Sequence, residues 1–278
     1  DRFPSEEEQR VLYREQLAAF APAPVTMRTL DVGGDKPLPY FPIQEDNPVL
    51  GWRGIRVTLD HPEIMLAQVR AMLKANEGLG NLRIMLPMIT TMAEFEEARN
   101  LILRCHDEVL VEGYSEALPP IGVMIEVPAA VYIAASLAEV ADFISVGSND
   151  LTQYLLAVDR NNARVADLYQ PLHPAVIAAL CSIVDAAHSQ GKTVSICGEL
   201  AGDTRAAPML LAIGFDQLSM NASSVPRIKQ VLRTVPLTAA QAHLSEVRAA
   251  RSSEEVLASV KALLDCYDLD RYVRQGAH

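Results

Sequence analysis

Apolar residues fall into two rhythms along this chain. Short runs such as Leu82-Arg-Ile-Met-Leu, Ile121-Gly-Val-Met-Ile, Phe143-Ile-Ser-Val, Thr193-Val-Ser-Ile and Gln217-Leu-Ser-Met read as strands. Val25 to Leu30 reads as another. Between them the spacing turns helical: Phe95, Ala98 and Ile102 share one face, as do Val176, Leu180, Ile183 and Ala187. Punctuation agrees with the rhythm. Ser5-x-x-Glu8 and Thr91-x-x-Glu94 are capping boxes that open helices, Pro62, Pro174 and Pro226 sit at helix starts, and Gly191 is a stop. Leu151 to Val158 reads as a helix, residues 37–48 as loop or hairpin, and the tail to His278 as amphipathic helix.

Apolar strands alternating with amphipathic helices predict a parallel sheet with helices outside it. No Gly-x-Gly-x-x-Gly follows a first strand, so a dinucleotide-binding sheet has no support. Polar residues gather just after strands instead: Asp31, Glu126, Asn149-Asp150, Cys197 and Asn221. A (β/α)8 TIM-type barrel keeps its active site at that end of its strands. The pattern yields about six strands where such a barrel needs eight. Either some strands escape the pattern or the chain begins inside the barrel, truncated at its N-terminal strands; the domain expectation is a single domain with the barrel over residues 1–236 and C-terminal helices over 237–278.

Charge narrows the partners. The net charge is −11 over 278 residues, which disfavours nucleic acid and acidic membrane surfaces, since both attract basic proteins. No apolar run approaches the length of a membrane span. Cys105, Cys181, Cys197 and Cys266 form no Cys-x-x-Cys pair and no zinc-type spacing with histidine. A reduced, cytoplasmic protein is expected, with Cys105, Cys181 and Cys266 as ordinary buried or half-buried thiols in helices.

Several residues carry possible chemistry. Glu126 and Asp150 each close a strand, and two carboxylates meeting at a barrel mouth call for a cation. Two protein carboxylates completed by substrate oxygens and water suit Mg2+. Singly, each would more often be a helix cap or a salt-bridged loop acid. Arg28 on a strand needs an anion or a carboxylate. Arg53 and Arg56 flank Gly54, and such guanidinium forks bind carboxylate or phosphate two-pronged; pairing of Arg56 with Asp31 or Asp35 stands as an even alternative. Asn149 precedes Asp150 in a stretch of small residues, and Arg160 follows one helical segment later. A thiol at the end of a strand, Cys197, could protonate a carbanion-like carbon or act as a nucleophile, the alternative being a buried apolar cysteine. His173 is most simply a turn residue before Pro174.

Taken in order, these stretches carry a resemblance. They are Arg28-Thr-Leu-Asp-Val-Gly-Gly-Asp-Lys, Gly51-Trp-Arg-Gly-Ile-Arg, Arg83-Ile-Met-Leu-Pro-Met, Gly122-Val-Met-Ile-Glu-Val-Pro-Ala-Ala, Gly147-Ser-Asn-Asp-Leu-Thr-Gln-Tyr, Ala157-Val-Asp-Arg and Ser195-Ile-Cys-Gly-Glu-Leu-Ala-Gly-Asp. The chain resembles the C-terminal phosphoenolpyruvate-binding domain of Enzyme I of the phosphoenolpyruvate phosphotransferase system. Around Asp60-His-Pro-Glu-Ile and Ala129-Ala-Val-Tyr it is most similar to the nitrogen-related paralogue.

The resemblance implies a (β/α)8 barrel that binds phosphoenolpyruvate and releases pyruvate. It assigns Mg2+ to Glu126 and Asp150. It assigns the substrate's phosphate and carboxylate to Arg28, Arg53, Asn149, Asp150 and Arg160, and protonation of the enolate to Cys197. It also implies a phosphohistidine domain as acceptor, a phosphocarrier protein beyond that, and a homodimer. The family's Gly-Leu-Tyr-Arg-Thr-Glu-Phe strand and its Gly-Gly-x-x-Ser-His acceptor segment are absent from these residues, so this stretch alone is not expected to complete net transfer. Two other readings share the motifs: the barrel of pyruvate phosphate dikinase or phosphoenolpyruvate synthase, and a non-catalytic phosphoenolpyruvate-sensing dimerisation module.

Overall fold

The structure, a computed structural model, describes residues 2–36 and 38–269. It divides into two compact units, residues 1–124 with 140–143, and residues 125–139 with 144–278.

In the first unit, helix α1 (Glu6–Phe20) precedes strand β1 (Val25–Arg28), followed by α2 (Ile55–Asp60), α3 (Pro62–Asn76), β2 (Leu82–Leu86), α4 (Met92–Val111) and β3 (Ile121–Ile125), whose last residue opens the second unit. The predicted capping boxes of α1 and α4 both form: Ser5 and Thr91 accept from the Glu8 and Glu94 amides, and those carboxylates accept back. β1 lies parallel to β2, and β2 parallel to β3. Leu82, Ile84, Leu86, Ile121, Val123 and Ile125 are all buried. The short helix α2 was not legible from the pattern, because Gly51-Trp-Arg-Gly-Ile-Arg carries no helical periodicity. The strand read to Leu30 ends at Arg28, where Leu30 turns its amide to the Gln68 side chain at 2.8 Å.

In the second unit come α5 (Pro128–Tyr132), α6 (Ala134–Val140), β4 (Ile144–Gly147), α7 (Ser148–Leu156), α8 (Pro174–Ser189), β5 (Val194–Cys197), α9 (Ala207–Ile213), β6 (Gln217–Leu218), α10 (Val225–Thr234), α11 (Leu237–Ala249) and α12 (Ser253–Asp265). β4 pairs parallel with β5, and β5 with β6. The buried faces of α8 and α9 supply Val176, Leu180, Ile183, Met209 and Leu210 to the core. Six strands are present among the described residues, as the pattern predicted, and every assigned pairing is parallel in the α/β manner. The tail is helical as far as Asp265; its last stretch, 270–278, lies outside the described residues.

Candidate functional site

Strand ends collect the polar residues of both units. In the first, Arg28 is the last residue of β1 and Asp31 follows on the loop. Asp31 is the pivot of a cationic cluster. Arg53, which is 0% exposed, donates through Nε to Oδ1 at 3.2 Å and through Nη2 to Oδ2 at 3.3 Å. Arg28 approaches the same carboxylate at 3.3 Å, and Lys36 pairs with it as well. Burial works to raise the Asp31 pKa, but the charge and hydrogen bonds of Arg53, then of Lys36, outweigh it and hold the carboxyl below its ordinary value. The partner of Asp31 is thus Arg53, while Arg56 turns its guanidinium to the Gly51 carbonyl at 2.8 Å. Sequence spacing alone left those two arginines equivalent. Gly54 at φ +58° makes the difference: a Cβ there would lie 2.8 Å from Met88 Cγ and 3.0 Å from Asp31 Oδ1, so only glycine lets Arg53 and Asp31 close up.

The second unit holds a polar cavity of about 600 Å3 lined by Asn149, Cys197, Gly198, Glu199, Ser219 and Asn221 among others. Asn149 sits in the first turn of α7, immediately after β4, and Cys197 ends β5. Asn149 Oδ1 accepts from the Glu199 amide at 3.0 Å, which leaves its Nδ2 as the donor. Ser148 Oγ donates to the Cys197 carbonyl at 2.6 Å, and the Cys197 thiol donates to the Val146 carbonyl at 3.4 Å. Between them Gly198 takes φ +95°, and a Cβ on it would stand 2.4 Å from Ser148 Oγ and 2.7 Å from Asn149 Oδ1. Glycine at position 198 is therefore a packing requirement of this cavity.

Glu126 is the first residue after β3 and is 1% exposed. Asp150 is buried too, but in the first turn of α7, where the sequence had placed it at a strand end. Arg160 lies in the loop beyond α7 and donates its amide to Gln153 Oε1 at 3.1 Å. Among the described residues no group of three or more His, Cys, Asp and Glu side chains gathers as a ligand set. His173 caps α8, its Nδ1 accepting from the Ala175 amide at 3.1 Å, close to the turn role expected of it. Sequence reading missed Lys36, Glu199, Ser219 and Ser224. Lys36 and Glu199 were visible within their motifs, whereas Ser219 and Ser224 reach the cavity only through the fold.

Of the four thiols, Cys105 and Cys181 are buried, Cys197 is half-buried and Cys266 is exposed, which departs from the expectation for Cys266. Burial pushes the Cys105 thiol up to about 12 and raises that of Cys181. No described helix is long and apolar enough to cross a membrane.

Comparison with known proteins bears on these residues. The family model described as PEP-utilising enzyme, PEP-binding domain, matches residues 1–237. A Salmonella typhimurium protein named as of the phosphoenolpyruvate-dependent phosphotransferase system is 50% identical over 275 residues, 99% of this chain and 37% of its own length. A Haemophilus influenzae phosphoenolpyruvate-protein phosphotransferase is 45% identical over 237 residues, 84% of this chain and 41% of its own. The chain thus spans less than half the length of these curated relatives. Among solved structures, a Haloferax volcanii malate synthase lead(II) complex superposes with a TM-score of 0.53 at 13% identity, covering 95% of this chain and 77% of that one, a likeness of fold. With one family model spanning 237 residues and identity of one residue in two over 99% of this chain, the chain belongs to the PEP-binding domain family of the PEP-utilising enzymes.

Proposed function

We propose that this chain is the phosphoenolpyruvate-binding part of a phosphoenolpyruvate-protein phosphotransferase of the Enzyme I type, nitrogen-related branch. The observation that carries the reading is the shared cavity of Asn149 and Cys197, an amide donor and a thiol brought together from distant motifs at two strand ends. The names of the relatives favour phosphotransfer over the dikinase and synthase readings.

In this proposal Arg28 meets the substrate anion, as a planar two-pronged donor suits carboxylate and phosphate; Arg53, buried and held two-pronged by Asp31, contributes positive charge rather than its fork. Asn149 Nδ2 and the Arg160 guanidinium serve the phosphoryl oxygens. The Glu126 and Asp150 pair suits a hard divalent cation: both donors are carboxylates and both are buried. When bound, Mg2+ would neutralise charge on the transferring phosphoryl. The phosphorus–oxygen bond to the enol breaks as a bond forms to the imidazole nitrogen of a histidine in a separate domain. The bonding pair stays on the enol oxygen, giving pyruvate enolate. Cys197 then gives its S–H proton to carbon 3, forming pyruvate, and the thiolate regains a proton from water. The phosphohistidine passes its phosphoryl group on to a phosphocarrier protein. A homodimeric, cytoplasmic enzyme belongs to the same reading.

The test is phosphoryl transfer from labelled phosphoenolpyruvate to a histidine-bearing acceptor domain, with Mg2+ and with a chelator. The complete enzyme should transfer only with Mg2+, and Glu126→Ala should abolish that dependence together with turnover. Metal-dependent turnover surviving in Glu126→Ala would overturn the metal assignment. Binding of phosphoenolpyruvate without any pyruvate formed would instead indicate a sensing module.

A further inference from the structure

Ser148 opens α7 directly after β4, yet that helix start carries no side-chain cap. A serine hydroxyl at such a place is commonly spent on backbone groups close by in its own chain. This one is buried and donates across the sheet instead, to the Cys197 carbonyl at 2.6 Å. The parallel ladder between β4 and β5 ends at the pair Gly147 and Cys197. Beyond it the two chains part, β4 into α7 and β5 into Gly198, whose φ of +95° and ψ of −174° suit glycine alone. The Ser148 hydroxyl thus adds one side-chain bond to the ladder where the sheet runs out. It lies against the turn itself, since a Cβ on Gly198 would stand 2.4 Å from its oxygen.

Cys197 is therefore held at two points. Ser148 donates to its carbonyl, and the Val146 carbonyl accepts its S–H at 3.4 Å. These two ties behave differently during proton transfer. To protonate carbon 3 the thiol must let go of the Val146 carbonyl, and a thiol is a weak donor, so that release costs little. The Ser148 bond is to the backbone and persists through the step. It keeps the strand end and the Gly198 turn in place while the S–H swings. Such placement matters, because a misplacement of about 1 Å can cost on the order of a hundred-fold in rate.

We propose that Ser148 is a positioning residue for proton transfer to carbon 3 of pyruvate enolate, its hydroxyl fixing the strand end that presents the Cys197 thiol. The inference rests on the reading of Cys197 as proton donor and deepens it. In the step the S–H bond breaks and a C–H bond forms with the enolate's electron pair. The enol oxygen becomes the ketone oxygen of pyruvate, and the thiolate takes its next proton from water. Ser148 acts through Cys197.

Ser148→Ala removes the hydroxyl and keeps a good helix former at the start of α7. In the complete enzyme, with Mg2+ and saturating acceptor, kcat for pyruvate release should fall about ten-fold, within reach of one lost hydrogen bond. KM for phosphoenolpyruvate should stay within about two-fold of the parent. Added to Cys197→Ala, the same change should slow release by less than about two-fold further, since no thiol is left to place. Parent-like kcat in Ser148→Ala would overturn the inference. So would a further loss of about ten-fold on the Cys197→Ala background, which would make the hydroxyl a general support of the site. If Ser148→Ala does not fold, Ser148→Cys carries the test: its weak S–H donor should lower kcat at least about three-fold, and a kcat equal to the parent's overturns the inference. If Cys197→Ala alone released pyruvate at the parent rate, the proton-donor reading itself would fall. A slow Cys197→Ala beside an unimpaired Ser148→Ala would remove the positioning role alone.

Discussion

Arg53 and Asp31 meet as a two-pronged pair almost wholly out of solvent, with side-chain exposures of 1% and 0%. Removing one partner leaves the other charge buried, a loss of about 3–5 kcal/mol in comparable pairs. Asp31→Asn should therefore lower stability to urea by roughly that amount. The acid limb should change too. Because the folded Asp31 pKa lies below its unfolded value, its contribution is present above the ordinary aspartate pKa of about 3.9 and is lost as pH falls through the folded value. Urea midpoints measured from pH 6 down to pH 2 should drop less steeply in Asp31→Asn than in the parent. Equal slopes would show that Asp31 contributes nothing to acid sensitivity.

Gly198→Ala should damage the cavity more than the fold. A φ of +95° costs an L-residue about 1–3 kcal/mol, and the new methyl must also push on Ser148 Oγ and Asn149 Oδ1. The yielding group is the Asn149 carboxamide, so phosphoenolpyruvate affinity should fall at least ten-fold. Parent-like affinity by calorimetry would mean that the backbone shifts and Asn149 does not serve the ligand.

The four thiols make a graded series. Cys266 is exposed and should be alkylated first by iodoacetamide at pH 8, while Cys105, buried with its pKa pushed up to about 12, should resist until the chain unfolds. In the complete enzyme, Cys197→Ala should bind phosphoenolpyruvate nearly as the parent does and release pyruvate far more slowly, because the enolate must wait for water. The same change at Cys105, Cys181 or Cys266 should leave pyruvate release intact. Pyruvate formed at the parent rate by Cys197→Ala would return that thiol to an ordinary packing role.

Arg70 on α3 reaches Glu6 of α1 at 3.0 Å, Glu108 of α4 at 2.9 Å and, beyond α4, Glu112. The glutamates are partly exposed, so screening limits the gain. Arg70→Met should cost about 1–2 kcal/mol in low salt and visibly less in 1 M NaCl, where the Debye length is only about 3 Å. A loss independent of salt in urea titrations would assign the effect to packing of the arginine stem.

Much of this protein was determined by local sequence. Strand and helix identity follow from the period of apolar residues, because a half-turn or 3.6-residue repeat fixes which face can be buried. Capping boxes follow from chemistry within four residues, and Ser5 and Thr91 cap where their motifs predict. The residue types that follow strands, Glu126, Asn149 and Asp150, and Cys197 at the end of β5, were legible in the same local way, although Asn149 and Asp150 prove to lie in the first turn of α7. What the tertiary structure decided is which of them meet. Arg53 rather than Arg56 takes Asp31 because Gly54, at positive φ, lets one backbone press against Asp31 and Met88. The Tyr169 hydroxyl reaches the Asn149 carbonyl only because the loop after α7 folds back over that helix's first turn. Such contacts depend on chain reversal and on distances of a few ångströms, and no periodicity in the sequence encodes either.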